Sequence, residues 1–240
     1  MTYISELAPM GKLRVGINFG NALLTNKDDR GTPGGIAVDL AHELTRRVGL
    51  PMELVSYDTA GHMADGAKAG AWDVAFLAAD PARAEEITFT APYLEIDTTC
   101  LVPAGSPLQT LADVDREGVR IAVSDKSAYD LFLTRNLKHA QLVRAPGVNA
   151  SVDVFFADKL EALAGLKPLL MEVAASQPGT RVLDGRFSAV QQAVGIPKGR
   201  DAAAEYVRRF VEDIKASGLV ADIIERNAIR GVSVAPPATA

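Results

Sequence analysis

The chain has 240 residues, of which 48% are hydrophobic and 23% charged, the balance of a folded globular protein rather than a disordered one. At roughly 150 residues per domain this length allows one large domain or two small ones. With 25 basic against 30 acidic residues the formal charge is -5, which leaves non-specific nucleic-acid binding without its electrostatic drive and favours a small, partly polar solute as partner.

Strand and helix signals alternate along the chain. Leu13 to Ile17 reads as a short apolar strand, and Ile36 to Val38 leads into a helix with Leu40, Leu44 and Val48 on one face, ended by Gly49. Pro51 to Tyr57 alternates as a strand, His62 to Lys68 is a weak helix, and Asp73 to Ala78 is a buried strand. Ile87 to Thr90 and Asp97 to Val102 are extended segments joined through Ala91-Pro92-Tyr93. A second series follows: strand Arg120 to Val123, a helix from Ser127, strand Gln141 to Arg144, strand Asp153 to Ala157, and a long helix from Lys159 to Val173. Strand Ala189 to Ile196 precedes helices Asp201 to Ser217 and Val220 to Ala228; the first carries Ala204, Val207, Phe210, Val211 and Ile214 on one stripe. Val232 to Ala240 reads as a frayed tail. This order predicts an α/β fold of two lobes, lobe 1 from residues 1–96 and 192–240 and lobe 2 from 97–191, with a ligand cleft at the carboxyl ends of the strands.

No run approaches the ~18 apolar residues of a membrane helix. Met1 to Leu13 lacks a basic segment, an apolar segment and a small-residue cleavage site, so no secretory leader is expected in the chain as given. That start fits a cytoplasmic protein, or one whose leader has been removed. The lone Cys100 is expected to be a structural thiol. Trp72 is expected to pack beneath a helix end. His42, His62 and His139 have no metal-ligand spacing, and neither a phosphate-binding P-loop nor a nucleophile elbow is present, so no metal or cofactor is expected.

Three constellations bear chemistry. Asp80-Pro81-Ala82-Arg83 follows the buried strand DVAFLA, and a capped turn there throws Arg83 out at the strand's carboxyl end, where a guanidinium can grip a carboxylate. The alternative is a solvated arginine paired with Glu85 or Glu86. Ser124-Asp125-Lys126-Ser127 follows strand RIAV; Ser127 caps a helix from Ala128, whose free N–H groups, with Lys126, form an anion site or simply a helix start. Asp158, read as following a strand DVFFA, either caps the next helix or faces the cleft to accept bonds from an ammonium group. Together they describe a site for a zwitterion.

Gly11 to Gly16 (GKLRVG), Gly35 to Leu40 (GIAVDL), Gly70 to Asp73, Arg83 and Ile87 to Tyr93 (ITFTAPY) resemble the bacterial solute-binding proteins of family 3, the polar amino-acid receptors of ATP-driven importers. The resemblance runs from about Leu7 to Ala228. It implies a type II periplasmic-binding-protein fold with two hinge strands, at about Pro92 to Val102 and Gln191 to Ile196, a periplasmic location, a permease partner, no nucleic acid and a monomer. By the same resemblance Arg83 takes the ligand carboxylate with Ser127 and Ala128, and the acid after the lobe 2 strand (Asp158) takes the amine; Asn18 and Asn21 are then expected to read the distal part. Four positions depart from the family pattern: Asp80 stands for a threonine, Ala78 for a serine, Asn21 for a stacking aromatic and Lys126 for a glycine. Two further readings stay open. Cyclohexadienyl dehydratases resemble the family and use a cleft acid to promote elimination, a role Asp158 could fill; a cytoplasmic solute sensor is the third.

Overall fold

The computed structural model describes residues 2–238. In chain order its elements are α1 (Thr2–Leu7), β1 (Leu13–Asn18), β2 (Asn26–Lys27), β3 (Pro33–Gly34), α2 (Ile36–Val48), β4 (Met52–Tyr57), α3 (Ala60–Lys68), β5 (Val74–Ala78), β6 (Ile87–Phe89) and β7 (Leu94–Pro103). There follow β8 (Arg120–Ser124), α4 (Ala128–Asn136), β9 (Gln141–Ala145), α5 (Val148–Ala157), β10 (Ala162–Leu166), α6 (Lys167–Ser176), β11 (Thr180–Val182), β12 (Ser188–Pro197), α7 (Asp201–Ala216), α8 (Leu219–Arg226) and β13 (Val232–Val234). The chain divides into two compact units, residues 1–95 with 191–240 and residues 96–190, and it passes between them within β7 and within β12.

The first unit is built on β1, with β4 and β5 parallel on either side and β12 antiparallel to β5. All five residues of β5 are buried, which is why its sequence VAFLA is continuously apolar rather than alternating. The α2 stripe predicted from spacing is buried at Leu40 and Leu44, and Gly49 closes that helix in the left-handed conformation at φ 71°. Trp72 is fully buried among Met63, Ala67, Leu77 and Ile87, and its indole N–H donates to the Met63 carbonyl at 2.8 Å. Gly66 makes room for that ring: a Cβ there would lie 2.9 Å from Trp72 Nε1. Along α7, Ala204, Val207, Phe210, Val211 and Ile214 are buried, as their stripe predicts.

The tail is docked, not frayed. β13 forms over Val232–Val234, Ala235 is buried with its N–H on the Tyr93 carbonyl at 3.1 Å, and Lys215 Nζ donates to Pro236 O at 2.9 Å. The last two residues of the predicted tail, 239 and 240, lie outside the described residues.

In the second unit β8, β9 and β10 run parallel, with Ala162 opposite Ile121 and Ser124 opposite Ala145, and β7 lies antiparallel to β10. Its core gathers Leu101, Ala122, Phe155, Leu160, Leu163 and Leu170. Two predicted elements exchange places here. Residues 153–157, expected as a strand, are the last half of α5, and the expected helix from Lys159 to Val173 is split into strand β10 and the start of α6. A short apolar run such as VDVFFA has no period that separates strand from helix. ALAGL, rich in good helix formers, is an extended strand because all five positions are buried in the sheet, where tertiary packing overrides intrinsic preference.

Candidate functional site

In the first unit β1, β4 and β5 are parallel, so their carboxyl ends share one edge. Asp80 leaves β5 there. Its Oδ1 accepts the Ala82 N–H at 2.9 Å and its carbonyl accepts the Ala84 N–H at 2.9 Å, so the chain turns at once into a single 3-10 turn over Arg83–Glu85. That turn carries Arg83 back over the strand end: Nη1 donates to the Ala78 carbonyl at 2.8 Å, and only 6% of the residue is exposed. The expected alternative, a solvated arginine paired with Glu85 or Glu86, is overturned, because both glutamates are exposed while Arg83 is buried. Burial pulls the guanidinium down to about 10, with the charges of Asp80 and Asp65 pulling the other way, so it stays a cation at neutral pH.

Asn18 ends β1 at the same edge. Its Oδ1 accepts the Gly20 N–H at 3.0 Å, Asn21 Oδ1 accepts the Leu23 N–H at 3.3 Å, and the Thr25 hydroxyl donates to both asparagine carbonyls. Their amides therefore shape this loop. Between them Phe19 is half-buried with Lys27 Nζ 4.6 Å from its ring centroid, an aromatic that the sequence reading passed over when it assigned the stacking position to Asn21.

In the second unit the carboxyl edge of β8, β9 and β10 receives the start of α4. Ser127 is its N-cap, accepting the Asp130 N–H at 3.1 Å, so the first-turn N–H groups from Ala128 onward point out of the helix. Asp130 is buried in that turn and accepts the Lys126 N–H at 2.8 Å and Arg144 Nε at 3.1 Å. Lys126 itself has φ 53°, the left-handed region where a glycine is unstrained. Tyr129 is held by hydrogen bonds with Ser124 and Ser127, and burial pushes its phenol up to about 12. Beneath the edge lies a small apolar cavity of about 20 Å³ lined by Tyr129, Ser151, Gly165, Leu166 and Leu170. Such a volume takes a water, not a solute.

Asp158 is placed elsewhere. No strand precedes it; it is the C-cap of α5, exposed, four residues before β10 begins. Its neighbour Arg120 opens β8, and Arg120 Nη2 donates to the Lys159 carbonyl at 3.0 Å, which sets Asp158 at the amino end of these strands, the end away from Ser127 and Ala128. The residue that actually follows the strand is Lys167. The sequence reading missed it, although Pro168 at the first turn of a helix, just after a short apolar run, marks that boundary.

The other titratable candidates are structural. Asp73 is fully buried at the start of β5, bound by Arg14 at 2.8 Å and Arg200 at 2.9 Å; burial pushes its carboxyl up, but the two guanidinium groups outweigh it and hold it below the usual range. Cys100 is buried in β7, and burial raises its thiol to about 12, which removes it as a nucleophile at neutral pH. Among the described residues no group of histidine, cysteine or acidic side chains could hold a metal ion, and no helix is long and apolar enough to cross a membrane.

Comparison with known proteins gives a consistent picture. A cyclohexadienyl dehydratase of Pseudomonas aeruginosa is 25% identical over 236 residues, covering 92% of this chain and 84% of that protein. Among solved structures, the L-cysteine solute receptor of Neisseria gonorrhoeae aligns with a TM-score of 0.82 at 21% identity, over 95% of this chain and 94% of that one. A binding component of an ABC transporter from Wolinella succinogenes, complexed with lysine, aligns at 0.76 with 22% identity, over 90% and 95% of the respective chains. The family model for bacterial extracellular solute-binding proteins, family 3, matches residues 13–228, and the chain belongs to that family.

Proposed function

We propose that this protein is a non-catalytic receptor for an amino acid or a related small carboxylate, serving as the substrate-binding component of an ABC importer. The observation that carries the reading is the Arg83 guanidinium, buried at the carboxyl end of β5 and still cationic. A planar guanidinium at a strand end is suited to bidentate contact with a carboxylate, and its partly desolvated setting strengthens that contact. In the second unit, Ser127, Ala128 and Lys126 supply the N–H groups and positive charge of a helix start for the same class of group. Asn18 and Asn21, which order the loop after β1, border the arginine's edge and contribute to selectivity through Phe19 and the loop shape. The lysine-bound and cysteine-receptor neighbours support the ligand class.

Calorimetric titration with the best ligand from a thermal-shift screen tests the site. Arg83→Ala is expected to weaken binding by about 10- to 100-fold, the worth of a charged hydrogen-bonded contact. An unchanged affinity refutes the assignment.

The dehydratase relative favours a second reading, elimination from prephenate or arogenate. Asp158, the acid expected to donate the proton, is exposed at the amino end of the strands, which argues against it. Incubation of the purified protein with either compound is expected to yield no product.

A further inference from the structure

Resting on that receptor reading, we propose that Asp80 selects the solute by its ammonium group, so that one turn of the first unit holds both charges of an α-amino acid, the carboxylate on Arg83 and the ammonium on Asp80. The two residues are three apart, and the Asp80 carbonyl accepts the Ala84 N–H at 2.9 Å, which closes a helical turn around them. Residues so spaced are neighbours on one face of the turn. An α-amino acid carries its two charges on one carbon, so a cation and an anion side by side match it. Both side chains are positioned by the backbone: Asp80 Oδ1 accepts the Ala82 N–H at 2.9 Å, and Arg83 Nη1 donates to the Ala78 carbonyl at 2.8 Å. A carboxylate has about four acceptor sites, of which the Ala82 N–H takes one.

Charge balance carries the argument. Asp80 and Arg83 are each only 6% exposed, and their charges cancel. A carboxylate bound alone to Arg83 leaves a net negative charge in these buried surroundings, where an uncompensated charge is costly. A zwitterion adds none. Asp65, whose charge also acts on Arg83, is exposed and screened by water. Other acids after parallel strands are less suited to an ammonium group. Asp58 follows β4 but is exposed. In the second unit the buried acid beyond β8, Asp130, accepts Arg144 Nε at 3.1 Å and the Lys126 N–H at 2.8 Å, and the residue that follows β10 is the cation Lys167.

The test is calorimetry on the intact protein with paired ligands, each L-amino acid against the acid lacking its α-amino group: L-cysteine with 3-mercaptopropionate, L-leucine with 4-methylpentanoate, L-lysine with 6-aminohexanoate. The amino acid that binds most tightly is expected to exceed its partner by about tenfold or more. Asp80→Asn keeps an oxygen to cap Ala82 but removes the charge. It is expected to weaken that amino acid about 10- to 100-fold while the partner acid binds as tightly or more tightly, since the negative charge beside it is gone. Asp80→Thr, which also keeps a capping oxygen, is expected to show the same crossed pattern, and the paired comparison on the parent requires no variant to fold. A loss shared alike by both members of a pair marks a structural role for Asp80 and overturns the inference. Partner acids that bind the parent as tightly as the amino acids, with binding lost on Arg83→Ala, overturn it too and leave the receptor standing. Failure of every amino acid and every carboxylate in the thermal-shift screen to bind overturns the receptor and the inference together.

Discussion

Single residues carry the chemistry, and their local conformations explain departures visible in the chain. Lys126 stands where the resembling family commonly has glycine, and its φ of 53° shows what that glycine does. A side chain in left-handed backbone costs about 1–2 kcal/mol. A glycine there gives back about 0.5–1 kcal/mol through the greater freedom of its unfolded chain. Lys126→Gly is therefore expected to stabilise the protein by roughly 0.5 kcal/mol in urea unfolding while weakening anion binding, because the charge beside α4 goes with it. Arg83 shows the reverse relation. Its position after Asp80-Pro81 was legible, but not its burial, since only the folded turn brings Nη1 to the Ala78 carbonyl.

At the scale of elements, one buried carboxylate joins three of them in the first unit. Asp73 precedes β5, Arg14 lies on β1, and Arg200 caps the start of α7. Removing the acid leaves two guanidinium groups without their partner, and Asp73→Ala is expected to cost about 3 kcal/mol by urea unfolding. The pH dependence follows from the sign of the shift. The folded pKa lies below the unfolded one, so the stabilisation is complete above the unfolded value of about 3.9 and is lost as pH falls through the folded value. The gap between parent and variant should be flat from about pH 5 to 8 and narrow below about pH 4. In the second unit the elements that went astray, α5, β10 and α6, lie where apolar runs are short and the deciding information is burial on both faces of β10.

At the scale of the whole molecule, each unit has its own core and its own carboxyl edge bearing a basic group, Arg83 in one and Lys167 in the other. A ligand that binds only the folded chain stabilises it by mass action, by about 2.7 kcal/mol at a hundredfold excess over its dissociation constant. For a chain of this length that corresponds to a rise of about 5–10 °C in melting temperature. The cognate carboxylate should produce that rise, and Arg83→Ala should cut it to roughly 1–5 °C at the same ligand concentration, read against the variant's own ligand-free midpoint, which falls because buried Asp80 loses its balancing charge.

By itself the sequence determined the α/β class, most strand and helix positions in the first unit, the N-cap at Ser127 and the family, because these rest on local periodicity, on capping side chains and on the order of short motifs. Only the tertiary structure decided which apolar run of the second unit is strand and which is helix. With that decision went the identity of the residue at the end of β10: Lys167 replaced Asp158, a cation in place of an anion. The physical reason is that a strand buried on both faces is defined by the neighbours that cover it, and no spacing within five residues records which neighbours those are.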